Sequence, residues 1–121
     1  MTVRKLLNKI HREKPSGFTE AEIIEFINDI ESDVAEELRL SEAPVYSDNH
    51  TDLDEELLVP APYDRLYVSY VKAMIDYSHE EYASYQLNQE QHLQDYKDFA
   101  DWVVRTGQAF NWIPTKFRNI L

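Results

Sequence analysis

From Tyr63 to Tyr77 the apolar positions Tyr63, Leu66, Tyr67, Tyr70, Val71, Met74 and Tyr77 recur in steps of three and four residues. That spacing puts them on one face of an α-helix. Arg65, Ser69, Lys72 and Asp76 take the far face. There Lys72 and Asp76 are spaced to pair at i,i+4, which adds roughly 0.3 kcal/mol to a helix. A turn near Ser78 to Glu80 then lets a further helix fold back. Its stripe is read as Tyr82, Tyr85, Leu93, Tyr96, Ala100 and Val103, ending near Arg105 with Gly107 as a stop. From these stripes Tyr67, Tyr70, Met74 and Ile75 are expected in the core, with Ile75 nearest its edge.

Two helices precede this pair. The first runs from about Val3 to Glu13, buries Val3, Leu6, Leu7 and Ile10, and turns Lys5, Lys9 and Arg12 outward. Pro15, Ser16 and Gly17 end it. The second opens with a capping box of Thr19 and Glu22, and Phe18 with Ile23 have the positions of a hydrophobic staple. Its stripe is Ile23, Ile27, Ile30, Val34 and Leu38, flanked by Phe26. It fades near Leu40 to Glu42, before Pro44.

Residues 43–62, APVYSDNHTDLDEELLVPAP, read as a long acidic connection, mobile around Asp48 to Glu56. The end of the chain, FNWIPTKFRNIL, is apolar and basic with Pro114 inside it, and reads as an extended arm. The expected architecture is therefore all-α: a four-helix, bundle-like single domain over residues 1–109, with an acidic loop between the second and third helices and a C-terminal arm over 110–121.

Composition narrows the function. A chain of 121 residues suffices for one core burying roughly two-thirds of the unfolded surface. Six of its eight tyrosines lie between Tyr63 and Tyr85. Tyrosine suits a surface buried against something and wet at its edge, so this is the composition of a docking module. The absence of cysteine removes disulfides and thiolate zinc sites. No apolar run is long enough for a membrane span or a signal peptide, so the expectation is a soluble intracellular protein with no membrane partner. The formal net charge of −11 opposes general binding to phosphate backbones. Charge is also uneven. Residues 1–14 carry five basic side chains against Glu13, whereas 19–57 carry fourteen acidic ones against Arg39.

Motifs for chemistry are thin. Asp48, His50, Asp52 and Asp54 have some spacing of a calcium loop, but Leu53 stands where its glycine belongs and Val59 where its bidentate glutamate belongs. His79-Glu80-Glu81 begins like a zinc-protease helix, but Ala83 replaces the second histidine. His92 falls on the apolar stripe beside Gln89 and reads as part of a hydrogen-bonded pair at the core edge. No catalytic residue, metal or cofactor is expected, and the chain is not read as an enzyme.

Two features bear on docking. Glu22, Glu25, Asp29, Asp33 and Glu36 step by three and four residues and form a negative ridge on the second helix. Like charges at that spacing are slightly destabilising, so a basic partner or a DNA-facing surface is one reading and a solvated face the other. Trp102 points nearly opposite the Leu93–Tyr96–Val103 stripe, so the chain's own arm or another subunit is expected to cover it. With the basic residues of the first helix, and Phe110, Trp112, Ile113 and Phe117 of the arm, these are the interface candidates.

The order is now complete: a helix ending in KPSGF, a capped helix with FINDIESDVAEEL, an acidic loop, then ELLVPAPYDRLYVSYVKAMIDYSHEEYASY and a last helix reaching YKDFADWVVR. Over residues 3–106 it resembles the small all-helical head–tail connector, or head-completion, proteins of long-tailed bacteriophages and prophages. LLVPAPYDRLYVSYVKAMIDY, followed by Glu81-Tyr82 and Tyr85, is the most specific part. Ser78-His79 stands where similar proteins have Asn-Gly, and Gln86-Leu87-Asn88 where they have an Asn-rich helix start. The resemblance implies a structural virion protein at the head–tail junction, present in the host cytoplasm during assembly. It implies a homo-oligomeric ring, twelve-fold when docked, between the portal protein and the tail-completion proteins, through which DNA passes without specific binding. The alternative is a small acidic phage-encoded regulator, or DNA mimic, that blocks a basic host protein.

Overall fold

The structure, a computed structural model, describes residues 1–106; Gly107 and the arm, with Phe110, Trp112, Ile113 and Phe117, lie outside them. The described residues form five helices: α1 (Val3–Glu13), α2 (Glu20–Glu37), α3 (His50–Leu53), α4 (Arg65–Ser78) and α5 (Tyr82–Thr106). The fold is all-α. Helix α4 is central and packs against α5, α2 and α1.

Helices α1 and α2 form as their patterns dictate. Val3, Leu6, Leu7 and Ile10 are buried, as are Ile23, Ile27, Ile30, Val34 and Leu38. The capping box is reciprocal: the Glu22 amide donates to Thr19 Oγ1 (3.2 Å) and the Thr19 amide to Glu22 Oε1 (3.1 Å). Phe18 packs edge-on against Phe26, with ring centroids 5.8 Å apart. Both α2 and α4 end in a Schellman arrangement built without glycine. The Leu40 amide donates to the Ala35 carbonyl and that of Arg39 to Glu36; the Glu81 amide donates to Asp76 and that of Glu80 to Tyr77. Arg39 (φ 61°) and Glu80 (φ 59°) occupy the left-handed positions.

The acidic connection is not structureless: it carries the short α3 and sends apolar side chains into the core. Tyr46, Leu53, Leu57, Leu58 and Val59 are buried in the core. The Asn28 side chain brackets Tyr46, with Nδ2 donating to its carbonyl (3.0 Å) and Oδ1 accepting from its amide (2.9 Å). Asp52 accepts from the Ser47 amide (2.8 Å) and hydroxyl (2.9 Å), and Asn49 caps α3. The end of the connection pairs with the start of α1, where the Val3 amide donates to the Glu55 carbonyl and the Leu57 amide to Met1. Self-repulsion is overcome because five apolar side chains are buried and the backbone groups are satisfied.

Helix α4 also departs from its one-faced reading, because it is enclosed on more than one side. Ser69 and Asp76, assigned to solvent, are buried, whereas Tyr77 is exposed. Lys72 bonds Glu13 rather than Asp76. Tyr67 and Ile75 are buried as expected, Ile75 fully inside rather than at the edge, while Tyr70 and Met74 are half-buried. The stripe on α5 is rotated from the expected one. His92, Asp95 and Phe99 face inward, and Tyr82 and Leu93 are exposed. Polar partners on α4 cause the shift: Ser69 Oγ donates to Asp95 (2.9 Å), and Ser84 and Asn88 donate to Asp76 (2.7 Å each).

Candidate interaction surface

Two buried carboxylates fix the geometry beneath the surface. Glu31, in the middle of α2, is wholly enclosed. It accepts from the hydroxyls of Tyr67 and Tyr46 (2.8 Å to Tyr46) and from the Leu58 amide (3.1 Å). The Tyr67 hydroxyl in turn accepts from the Val59 amide (3.0 Å). Burial raises the Glu31 carboxyl above the ordinary carboxylate range, and the three donors only partly oppose this. The sequence pattern missed Glu31 because it sits among the acids of α2; its one signal was its place beside Ile27, Ile30 and Val34 on the buried side.

The second carboxylate is Asp76. It pairs with Lys14 at the end of α1 and accepts from Ser84 and Asn88 of α5. Burial disfavours its charge, but those three partners together hold its carboxyl below the usual range. Helices α1, α4 and α5 thus meet on one side chain.

The ridge is present on the outer face of α2, where Glu22, Glu25, Asp29, Asp33 and Glu36 are all exposed. Glu22 is committed to the capping box. Asp33 is raised above the usual carboxylate range, first by partial burial and then by Glu36 and Asp29. The ridge borders a groove of about 720 Å³ between α2 and α5. Asp33, Glu36 and Glu37 form one wall, Leu93 and Tyr96 the other, and Tyr70 and His92 lie at its base. The Tyr96 hydroxyl donates to the Asp33 carbonyl (3.1 Å) and so ties the walls together. His92 Nδ1 lies 3.0 Å from the Leu66 carbonyl, and burial pushes its imidazole down from the usual value. His92 is therefore bonded to backbone rather than to Gln89, whose amide oxygen is buried without a hydrogen-bond partner among the described residues.

Trp102 is half-buried rather than exposed. Its indole stacks on Tyr63, with centroids 5.0 Å apart and planes 24° from parallel. Tyr63, two residues before α4, thus covers one face of the indole. The basic side of α1 is largely spent within the chain. Lys9 pairs with Glu13 (2.8 Å), Arg12 lies 3.9 Å from the same carboxylate, Arg4 pairs with Asp54 (3.1 Å), and Lys14 takes Asp76. Lys72 and Lys9 together pull Glu13 down to about 2. Lys5 is exposed. On α5 the side chains of Leu87, Leu93 and Val104 are exposed.

Among the described residues no group of three or more His, Asp or Glu side chains could hold a metal ion, and no helix is long and apolar enough to cross a membrane. The four calcium-loop positions are accounted for partly by Asp52 holding Ser47 and Asp54 pairing with Arg4. Comparison with protein-family models, curated proteins and solved structures gave no match.

Proposed function

We propose that the chain is a structural subunit of a long-tailed bacteriophage or prophage, acting as a head–tail connector in a ring between portal and tail. The observation that supports this reading best is the pairing of unlike surfaces on one small domain. An acidic ridge and groove on α2 lie beside the exposed Leu93 and Val104 of α5, over a core that encloses Glu31 and Asp76. Unlike surfaces on identical subunits suit heterologous, head-to-tail contacts, which close into rings when the rotation permits. The segment that carries the resemblance, LLVPAPYDRLYVSYVKAMIDY, forms the hub of the domain: Leu57, Leu58, Val59, Leu66, Tyr67 and Val71 are all buried. An acidic lumen lets DNA slide without being gripped.

In this reading the arm and α5 meet neighbouring subunits, while α1, whose charges are mostly paired internally, contributes less than its composition suggests. The test is genetic and structural together. A phage lacking the chain should accumulate DNA-filled heads and free tails, and purified protein added to them should restore joined particles. Normal joined particles without the chain would overturn the reading. If a host process changed instead, the acidic regulator would take its place.

A further inference from the structure

The groove between α2 and α5 holds more hydrogen-bond acceptors than donors. Its α2 wall carries the carboxylates of Asp33, Glu36 and Glu37. At its base His92, only 7% exposed, presents Nδ1 to the Leu66 carbonyl at 3.0 Å. A carbonyl can only accept, so Nδ1 carries the ring proton and Nε2 is left as an acceptor. Burial keeps the imidazole neutral by opposing a second proton. The ring lines the groove, and Nε2 has no hydrogen bond among the described residues. Gln89, also in the lining, has an amide oxygen that is buried without a donor. Folded proteins leave few such acceptors unpaired, which points to a donor arriving from outside.

The two cations in the lining do not supply that donor. Lys97 is paired with Asp101 (2.8 Å), and Arg39, at φ 61° just past the end of α2, makes no ion pair among the described residues. The rest of the lining is aromatic or apolar. Ring centroids lie 5.1 Å apart for Tyr70 and His92 and 5.9 Å apart for His92 and Tyr96, beside Leu93, which is 59% exposed. An occupant therefore brings positive charge and several donors, lies against rings, and covers a leucine. A guanidinium meets these needs, because it is planar, always charged, carries a fixed fork of N–H donors and stacks on aromatic faces. An ammonium is a compact, strongly hydrated point charge and suits such rings less well. Free arginine would set its own carboxylate beside Asp33 and Glu36, whereas an arginine within a peptide has none. The groove, about 720 Å³, has room for one arginine and its flanking side chains.

We infer that the α2–α5 groove is a docking site for an exposed arginine of a partner protein. The guanidinium donates to His92 Nε2 and to the carboxylates of Asp33, Glu36 and Glu37, its stem lies on Tyr70 and Tyr96, and an adjoining apolar side chain covers Leu93. The same acidic wall repels nucleic acid. The inference stands apart from the connector proposal, since it concerns only what the groove accepts.

The probe is the capped peptide acetyl-Gly-Ser-Leu-Arg-Leu-Ser-Gly-amide, titrated into the full chain at physiological salt and followed by amide NMR. Shifts should gather at Asp33, Glu37, Gln89, Leu93 and Tyr96. The peptide should bind about tenfold more tightly than its citrulline counterpart, which keeps the shape without the charge, and several-fold more tightly than its lysine counterpart. D33N/E36Q should weaken binding about tenfold at unchanged far-UV circular dichroism. E25Q/D29N removes equal charge from the ridge outside the walls and should weaken it under about twofold, because salt screens the more distant charges. Light scattering should give a monomer mass for the free chain. No shifts, or shifts gathered elsewhere, would overturn the inference. So would equal binding of the citrulline or lysine peptide, equal weakening by the two double variants, or spermidine binding the same residues as tightly as the arginine peptide. A dimer that D33N/E36Q dissociates would also overturn it, by making a second copy the occupant.

Discussion

Tyr63 and Trp102 stack face to face at 5.0 Å across the end of the α4–α5 pair, one residue lying before α4 and the other near the end of α5. Phe99 adjoins the indole at 6.4 Å, so the stack continues the core outward instead of presenting a bare docking ring. The Tyr63 and Trp102 substitutions to alanine, made singly and together, should give a coupling energy of about 1 kcal/mol in urea unfolding, as for other aromatic pairs. Additive losses would mean that the rings do not support one another.

The Tyr67 hydroxyl serves two buried partners, donating to Glu31 and accepting from the Val59 amide. Tyr67→Phe should therefore cost about 2 kcal/mol, since it leaves both groups short of a partner away from water. Tyr70 stands half-buried at the groove, and Tyr70→Phe should cost under about 0.5 kcal/mol. Equal effects from the two variants would contradict the buried network.

Glu31 gives stability an acid-side dependence opposite to that of an ion-paired carboxylate. Its folded carboxyl is raised above the ordinary 4.5, so the folded state binds the proton more tightly than the unfolded state. That contribution is whole below 4.5 and declines as pH rises from there through the raised value. The stability of the parent relative to Glu31→Gln should therefore fall with increasing pH over this window, in denaturation curves taken from pH 4 upward. A difference that grows with pH would show the carboxylate to be better stabilised ionised than protonated.

Glu80 closes the α4–α5 turn at φ 59°, in a conformation that costs a residue with a Cβ roughly 1 kcal/mol. Glu80→Gly should raise stability by about 0.5 kcal/mol, the relief being partly offset by the greater freedom of glycine in the unfolded chain. Loss of stability would mean that the Glu80 side chain does more than occupy the turn.

The regular parts of this fold were legible because single faces decide them. The stripe of α2 and its Thr19–Glu22 box specify a helix start, face and end without reference to any other segment. Legibility failed where a polar side chain serves a distant partner. Asn28 holds Tyr46 eighteen residues away, Glu31 gathers Tyr46, Tyr67 and Leu58, and Asp76 gathers Lys14, Ser84 and Asn88. Read locally, these are surface acids and amides. Their long-range hydrogen bonds tie the acidic connection to the core and fix the rotation of α5, so that Leu93 faces the groove while His92 and Asp95 face in. The ridge was legible as a surface; the groove beside it was not, because it needs α5 in its observed rotation.

Assembly is where the surface reading meets its hardest test. Glu25 and Asp29 lie on the exposed ridge outside the groove walls, so Glu25→Lys with Asp29→Lys should leave the midpoint of thermal unfolding nearly unchanged, surface substitutions being worth about 0.5 kcal/mol or less. Deleting residues 110–121 should likewise leave a folded domain, because α1, α2, α4 and the connection before α4 bury a large apolar cluster together with Phe99 of α5. Under the connector proposal both changes should nevertheless stop heads from joining tails. The ridge variant should fail because it puts positive charge on a surface that faces DNA or a basic neighbour, and the truncation because it removes the arm. Electron microscopy of lysates would count joined particles against free heads and tails. Joined particles at parental frequency with the truncated chain would remove the arm from assembly, and with the ridge variant would reduce the acidic face to a solvated surface.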